Sequence, residues 1–154
     1  MLKDDIDTLL PLAQISLADP PADKWAAIEH LLDLIADNGR VTDREAALEA
    51  LREREAEATT GVGMGIGIPH AKTAAVTRPS LAFTRSSEGI DFDAMDDEPA
   101  HLLFMILVPA DGGEEHLGIL SALSRALMHD GVRETLRSAE TESTVQDAVR
   151  EAVN

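Results

Sequence analysis

Cysteine and tyrosine are absent from this 154-residue sequence, aromatic residues make up 3% of it, and lysine occurs only at positions 3, 24 and 72. Without cysteine there is no disulfide, no thiolate nucleophile and no Cys-based zinc site. With so few rings, the core has to be built from Leu, Ile, Val, Met and Ala. No long apolar run is present either. The longest, Leu102 to Val108 ahead of Pro109, is far too short to cross a bilayer. The opening MLKDDIDTLLPLAQ has no basic region followed by an apolar one, so it does not read as a signal peptide. These absences predict a soluble, cytoplasmic protein. Positive charge is scarce as well: 29 acidic residues face 13 basic ones, for a net charge of −16. Nucleic acid and anionic membrane are polyanions and are excluded as direct partners. The acids are spread along the whole chain, which favours adaptation to a high-salt cytoplasm over an acidic docking surface for a basic partner.

What is present fits one domain with a real core. Residues 1–22 form a lead-in, in which Ala13, Ile15 and Leu17 alternate like a short strand. A helix is predicted from Lys24 to Asp37, with Trp25, Ile28, Leu31, Leu32 and Ile35 on one face and Asn38-Gly39 ending it. A second begins at Thr42-Asp43-Arg44-Glu45, read as a capping box. Ser80 to Ser86 reads as a strand, with Gly89 to Phe92 as its hairpin partner across Ser87-Glu88. The Leu102–Val108 run suits a central strand covered on both faces. Helices follow over Glu114–His129, over Val132–Arg137 and from Ser143 onward. The order predicts an α/β single-domain sandwich, a mixed β-sheet flanked by helices on both faces.

The most informative stretch runs from Thr59 to Lys72, TTGVGMGIGIPHAK. Its four alternating glycines, Gly61, Gly63, Gly65 and Gly67, are poor strand material unless backbone must approach something closely. No Walker A lysine follows at the required spacing, and no dinucleotide fingerprint can be read. The stretch offers unobstructed backbone N–H groups, able to form an anion-binding concavity, beside the imidazole of His70. A histidine that accepts a phosphoryl group needs a bare, outward-aimed nitrogen, a hydrogen bond fixing the other one, and positive donors for the equatorial oxygens. Arg54 could supply charge with bidentate geometry, and His116, near a helix start, a second donor. His30, His101 and His129 read as structural. His70 and His116 lack a third partner for a metal, so no metal site is expected. The acids from Asp91 to Glu98 lack the Gly and Glu placement of an EF-hand loop.

These residues resemble the fructose/mannitol-type IIA domain of the bacterial phosphotransferase system. The Gly-rich segment leading into Ile-x-Ile-Pro-His70 is similar to that family's signature. Arg54-Glu55, Glu88-Gly89-Ile90-Asp91-Phe92 and Glu115-His116-Leu117 with its following helix resemble family segments in the same order, from about residue 24 onward. The resemblance implies that His70 is phosphorylated at Nε2 by phospho-HPr. It implies that His116 orients the phosphoryl group and that Arg54 offsets its charge. Thr60 and the Gly61–Gly67 backbone are less secure members of the site. It implies no cofactor: the phosphoryl group comes from phosphoenolpyruvate through enzyme I and HPr. The acceptor would be a cysteine of EIIB, on a separate chain because this one has none, with the membrane engaged only through an EIIC permease. Fructose is the expected sugar. A nitrogen-type regulatory EIIA and a non-catalytic binding module on the same fold are the alternatives.

Overall fold

A computed structural model describes residues 2–153. The chain runs α1 (Leu2–Leu9), a 3-10 turn (Leu12–Gln14), α2 (Lys24–Asp37), α3 (Arg44–Glu57), β1 (Gly61–Gly63), β2 (Ile66–Gly67), β3 (His70–Lys72), β4 (Ser80–Ile90), β5 (Ala100–Val108), α4 (Gly113–Ala126), α5 (Asp130–Ser138) and α6 (Glu142–Ala152). The centre is β5, whose residues Leu102 to Val108 are fully buried. Alternate residues of a strand face opposite sides, so this apolar run feeds two cores. Leu102, Phe104, Ile106 and Val108 pack with Ile6 of α1, Ile119 and Leu123 of α4, Leu136 of α5 and Val145 of α6. Leu103, Met105 and Leu107 pack with Ile28, Leu31, Leu32 and Ile35 of α2 and with Ala47, Leu48 and Leu51 of α3. The mixed sheet between two helical layers is the architecture expected.

β4 pairs antiparallel to one edge of β5, Ser80 opposite Leu107 through Arg85 opposite Leu102. The other edge of β5 takes β2 and then β3, both parallel. Ile66 lies opposite Leu102, Gly67 opposite Leu103 and His70 opposite Ile106. The register is the same in both, so 66–72 is one strand interrupted only at Ile68-Pro69. Pro69 has no N–H to give, yet its carbonyl still accepts from Ile106 N at 3.0 Å. The even positions Ile66, Ile68 and His70 therefore share the face covered by α4.

Several local expectations change. The lead-in contributes a helix: α1 buries Ile6 and Leu9, and Leu10 just beyond its end is buried with them. The strand expected over Ala13, Ile15 and Leu17 reduces to the 3-10 turn and a single bridge from Ile15 to Phe83. Ser80–Ile90 is one strand and not a hairpin. β4 holds more residues between Arg85 and Ile90 than β5 does opposite them, and a bulge absorbs the surplus, with Gly89 at φ +91°. At α3 the cap is Asp43, which accepts from Ala46 N at 3.1 Å, while Thr42 Oγ1 donates to Ala75 O.

Candidate phosphoryl site

His70 is the first residue of β3 and follows Pro69 directly. Its Nδ1 lies 2.6 Å from the carbonyl oxygen of Ile68. A carbonyl can only accept, so Nδ1 carries the hydrogen, and in the neutral ring the lone pair is on Nε2. No hydrogen bond involves that Nε2 among the described residues. Burial lowers the His70 pKa most. The Ile68 carbonyl works against it, the Arg54 charge lowers the pKa further, and Glu55 raises it. The net effect is a neutral imidazole with a bare nitrogen. The ring is recessed more than the sequence suggested, with 8% of the residue exposed, so a partner has to reach in to it.

His116 comes from the first turn of α4, and its backbone N donates to Gly112 O at 2.8 Å. β3 and α4 meet on the same face of the sheet, and this brings the two imidazoles together. Their ring centroids are 5.1 Å apart, at an interplanar angle of 52°. His116 is also 8% exposed, and its Nδ1 is buried with no partner among the described residues. Burial first, then the positive charges of His70, Lys72 and Arg54, push its pKa down to about 4. Near neutral pH both rings are therefore uncharged, and each has one nitrogen able to donate.

Arg54 lies in the last turn of α3, half-buried, with Nη1 donating to Ala58 O at 3.0 Å. Its charge is felt by both imidazoles. Lys72 was missed in the sequence. Two residues beyond His70 on the same strand, it shares that residue's face and adds positive potential at His116. The alternation of a strand was signal enough to find it. Glu55 carries no role in the sequence reading, yet it organises the floor of the site. Its buried carboxylate accepts from Thr60 N at 2.9 Å and Thr60 Oγ1 at 2.6 Å, and pairs with Lys24 Nζ at 2.8 Å. Thr60 is thereby turned toward Glu55.

The glycines do something other than the expected anion cradle. Gly61 to Gly67 form a small hairpin, β1 with β2, whose turn has positive φ at Gly63, Met64 and Gly65. Met64 N donates to a carboxylate, Asp96 Oδ2, at 2.9 Å, and Gly61 N donates to Thr59 Oγ1. A Cβ on Gly61 would meet Phe92 Cβ at 2.9 Å, and one on Gly67 would meet Leu103 Cδ2 at 2.9 Å. Close packing explains these two glycines. Among the described residues, no group of three or more His, Asp or Glu side chains is placed to hold a metal ion, and no helix is long and apolar enough to cross a membrane.

The sequence and the fold have known counterparts. A family model described as phosphoenolpyruvate-dependent sugar phosphotransferase system, EIIA 2, matches residues 8–152. The chain is 70% identical over 149 residues to the PTS system fructose-specific EIIA component of Haloferax volcanii, covering 97% of each. It is 39% identical over 146 residues, 95% of this chain, to the PTS system fructose-specific EIIABC component of Bacillus subtilis, of which it spans 23%. The crystal structure of nitrogen regulatory protein IIA-Ntr from Neisseria meningitidis superposes with a TM-score of 0.82 at 32% identity, over 94% of this chain and 98% of that one. A match that runs from α1 to α6 takes in both imidazoles and the sheet that aligns them, and the chain belongs to the EIIA 2 family of the phosphoenolpyruvate-dependent sugar phosphotransferase system.

Proposed function

We propose that this protein carries a phosphoryl group on Nε2 of His70, received from phospho-HPr and passed to a cysteine of EIIB on another chain, in a fructose-uptake system. The observation that carries the reading is the Ile68 carbonyl on Nδ1, which holds the ring in one tautomer with Nε2 bare. In the transfer the Nε2 lone pair forms the new N–P bond while the N–P bond to the HPr histidine breaks. No proton has to leave His70. Nδ1 keeps its hydrogen, the ring takes the positive charge, and the hydrogen bond to Ile68 becomes charge-assisted. Arg54 and Lys72 offset the dianion, and His116 donates to one of its oxygens. The relay uses no cofactor. The 70% identity to a fructose-specific EIIA component over nearly its whole length supports both the sugar and an EIIB on a separate chain.

The test is incubation with labelled phosphoenolpyruvate, enzyme I and HPr. Acid-labile, base-stable label is expected on the wild type and none on His70→Ala; equal label on both would overturn the assignment. The likeness to the Neisseria IIA-Ntr favours a second reading, a regulatory phosphotransfer protein. Onward transfer of label to a fructose-specific EIIB separates the two, because the regulatory reading requires none.

A further inference from the structure

We propose a second anion site at the opposite end of the sheet from His70, fitted to a small phosphomonoester that carries hydroxyl groups. The site is a cleft of about 550 Å³ with Asp19, Arg85, Ser87, His101 and Arg137 in its walls. It is bounded by the start of β5, the bulged end of β4 and the last turn of α5. The volume is ordinary for a small-molecule site. His101 precedes Ile106, the register partner of His70, by five residues, a span of roughly 16 Å along the strand. The cleft is separate from the phosphoryl site.

Two guanidiniums, from Arg85 and Arg137, share it. In this strongly acidic chain Arg44 is matched by Glu29 and Asp33, Arg133 by Asp130, and Arg150 by Asp7 and Asp147. Arg40, Arg52, Arg54, Arg78 and Arg125, like the two arginines of the cleft, have no ion pair among the described residues. Among the described residues neither Arg85 nor Arg137 lies within ion-pair distance of an acid, although the Arg85 charge is near enough to help lower the Asp19 pKa. Arg85 donates through Nη1 to the carbonyls of Leu136 and Arg137, at 3.0 and 3.1 Å. These bonds cap α5 and hold the guanidinium still, leaving Nε and Nη2 available. Helix capping explains Arg85 Nη1 but not Arg137, whose side chain makes no hydrogen bond among the described residues.

The backbone is shaped around these groups. At Gly65, with φ +79°, a Cβ would stand 3.0 Å from Arg137 Nη2 and 3.8 Å from His101 Cδ2. At Gly89, with φ +91°, it would meet Pro99 Cβ at 2.7 Å and Pro99 Cγ at 3.0 Å before His101 Cε1 at 3.1 Å. The left-handed Gly65 thus leaves room for a guanidinium and an imidazole side by side. His101 Nδ1 donates to Ser86 O at 2.9 Å, which leaves its Nε2 free.

The class of ligand follows from the donors and the one acid. Two guanidiniums suit the oxygens of a phosphate dianion. The Asp19 carboxylate accepts from Ser87 N and Ser87 Oγ, both at 2.8 Å, and keeps lone pairs for a ligand hydroxyl. Directed N–H···O bonds survive concentrated salt better than a diffuse potential does.

The full chain, isotopically labelled, is titrated at fixed KCl with a hexose monophosphate, inorganic phosphate and free hexose, and backbone amide shifts are followed. Saturable shifts at Ser86, Ser87, His101 and Arg137 are expected with the hexose monophosphate, weaker ones with phosphate and none with free hexose. Arg137→Ala removes an exposed side chain and should weaken binding roughly tenfold or more. Arg137→Lys should restore part of it, and both variants should take label on His70 as the wild type does. Absence of saturable shifts, unchanged affinity in Arg137→Ala, free hexose binding as tightly, or shifts confined to His70 and His116 would each overturn the proposal. Failure of the His70 labelling experiment would leave this result standing, so the two readings fail separately.

Discussion

At the scale of single residues, the two imidazoles differ in what holds their nitrogens. His70 has one nitrogen fixed by a carbonyl, whereas His116 has a buried nitrogen held by nothing among the described residues. His116→Ala should still accept label from phospho-HPr but pass it to EIIB about a hundredfold more slowly, the usual loss for one transition-state donor; single-turnover transfer rates check this. The His116 pKa near 4 also has a consequence for stability. Between pH 6.5 and about 4 the unfolded chain binds a proton that the folded one refuses. The contribution is therefore fully present above pH 6.5 and is lost as pH falls through that window, by up to about 3 kcal/mol. Urea midpoints of wild type and His116→Gln, compared at pH 7 and pH 4.5, isolate it: the wild type should lose more. His70 was legible because Pro-His after a run of glycines is an unusual string, and His116 because its helix start resembled the family's. Lys72 was legible in principle from strand alternation. The Lys24–Glu55–Thr60 contact was not, because it joins α2, the end of α3 and the start of β1, and only folding shows those three ends meeting.

At the scale of elements, the glycines separate into those that packing demands and those it does not. Gly61 lies against Phe92 Cβ and, at 3.0 Å, against the Phe92 carbonyl oxygen, so room for a side chain requires backbone movement. Gly61→Ala should destabilise by about 1–3 kcal/mol. Gly118, in the middle of α4, has nothing within 4 Å of a Cβ, and Gly118→Ala should stabilise by roughly 1 kcal/mol. Thermal melts of the two variants give opposite signs if this reading holds. The same contrast shows what the sequence could carry. Long amphipathic helices such as α2 and the apolar β5 were legible because their periodicity is a direct trace of burial. The hairpin expected at Ser87-Glu88 failed because Ser-Ser-Glu-Gly is equally good bulge material, and pairing with β5 decides between the two. α1 escaped notice because its acids, Asp4, Asp5 and Asp7, mask the apolar contacts of Ile6, Leu9 and Leu10.

At the scale of the whole molecule, the excess of acids sets how the chain answers to salt. Self-repulsion among 29 carboxylates is strong when the screening length is about 10 Å, near 0.1 M, and weak at about 3 Å, near 1 M. The melting temperature should climb as KCl is raised from about 0.1 M to about 2 M. A flat profile would return the acids to the docking-surface explanation. The continuous pairing of 66–72 with β5 has a further implication, for how the sequence can vary. Adding or deleting one residue between Ile66 and His70 would not nudge the His70 imidazole sideways. It would invert it, sending the imidazole toward α2 and α3 and leaving His116 to face an alanine or a proline. The distance from Ile66 to His70 is thus held by parity, an all-or-nothing constraint that no change of side chain elsewhere can relax.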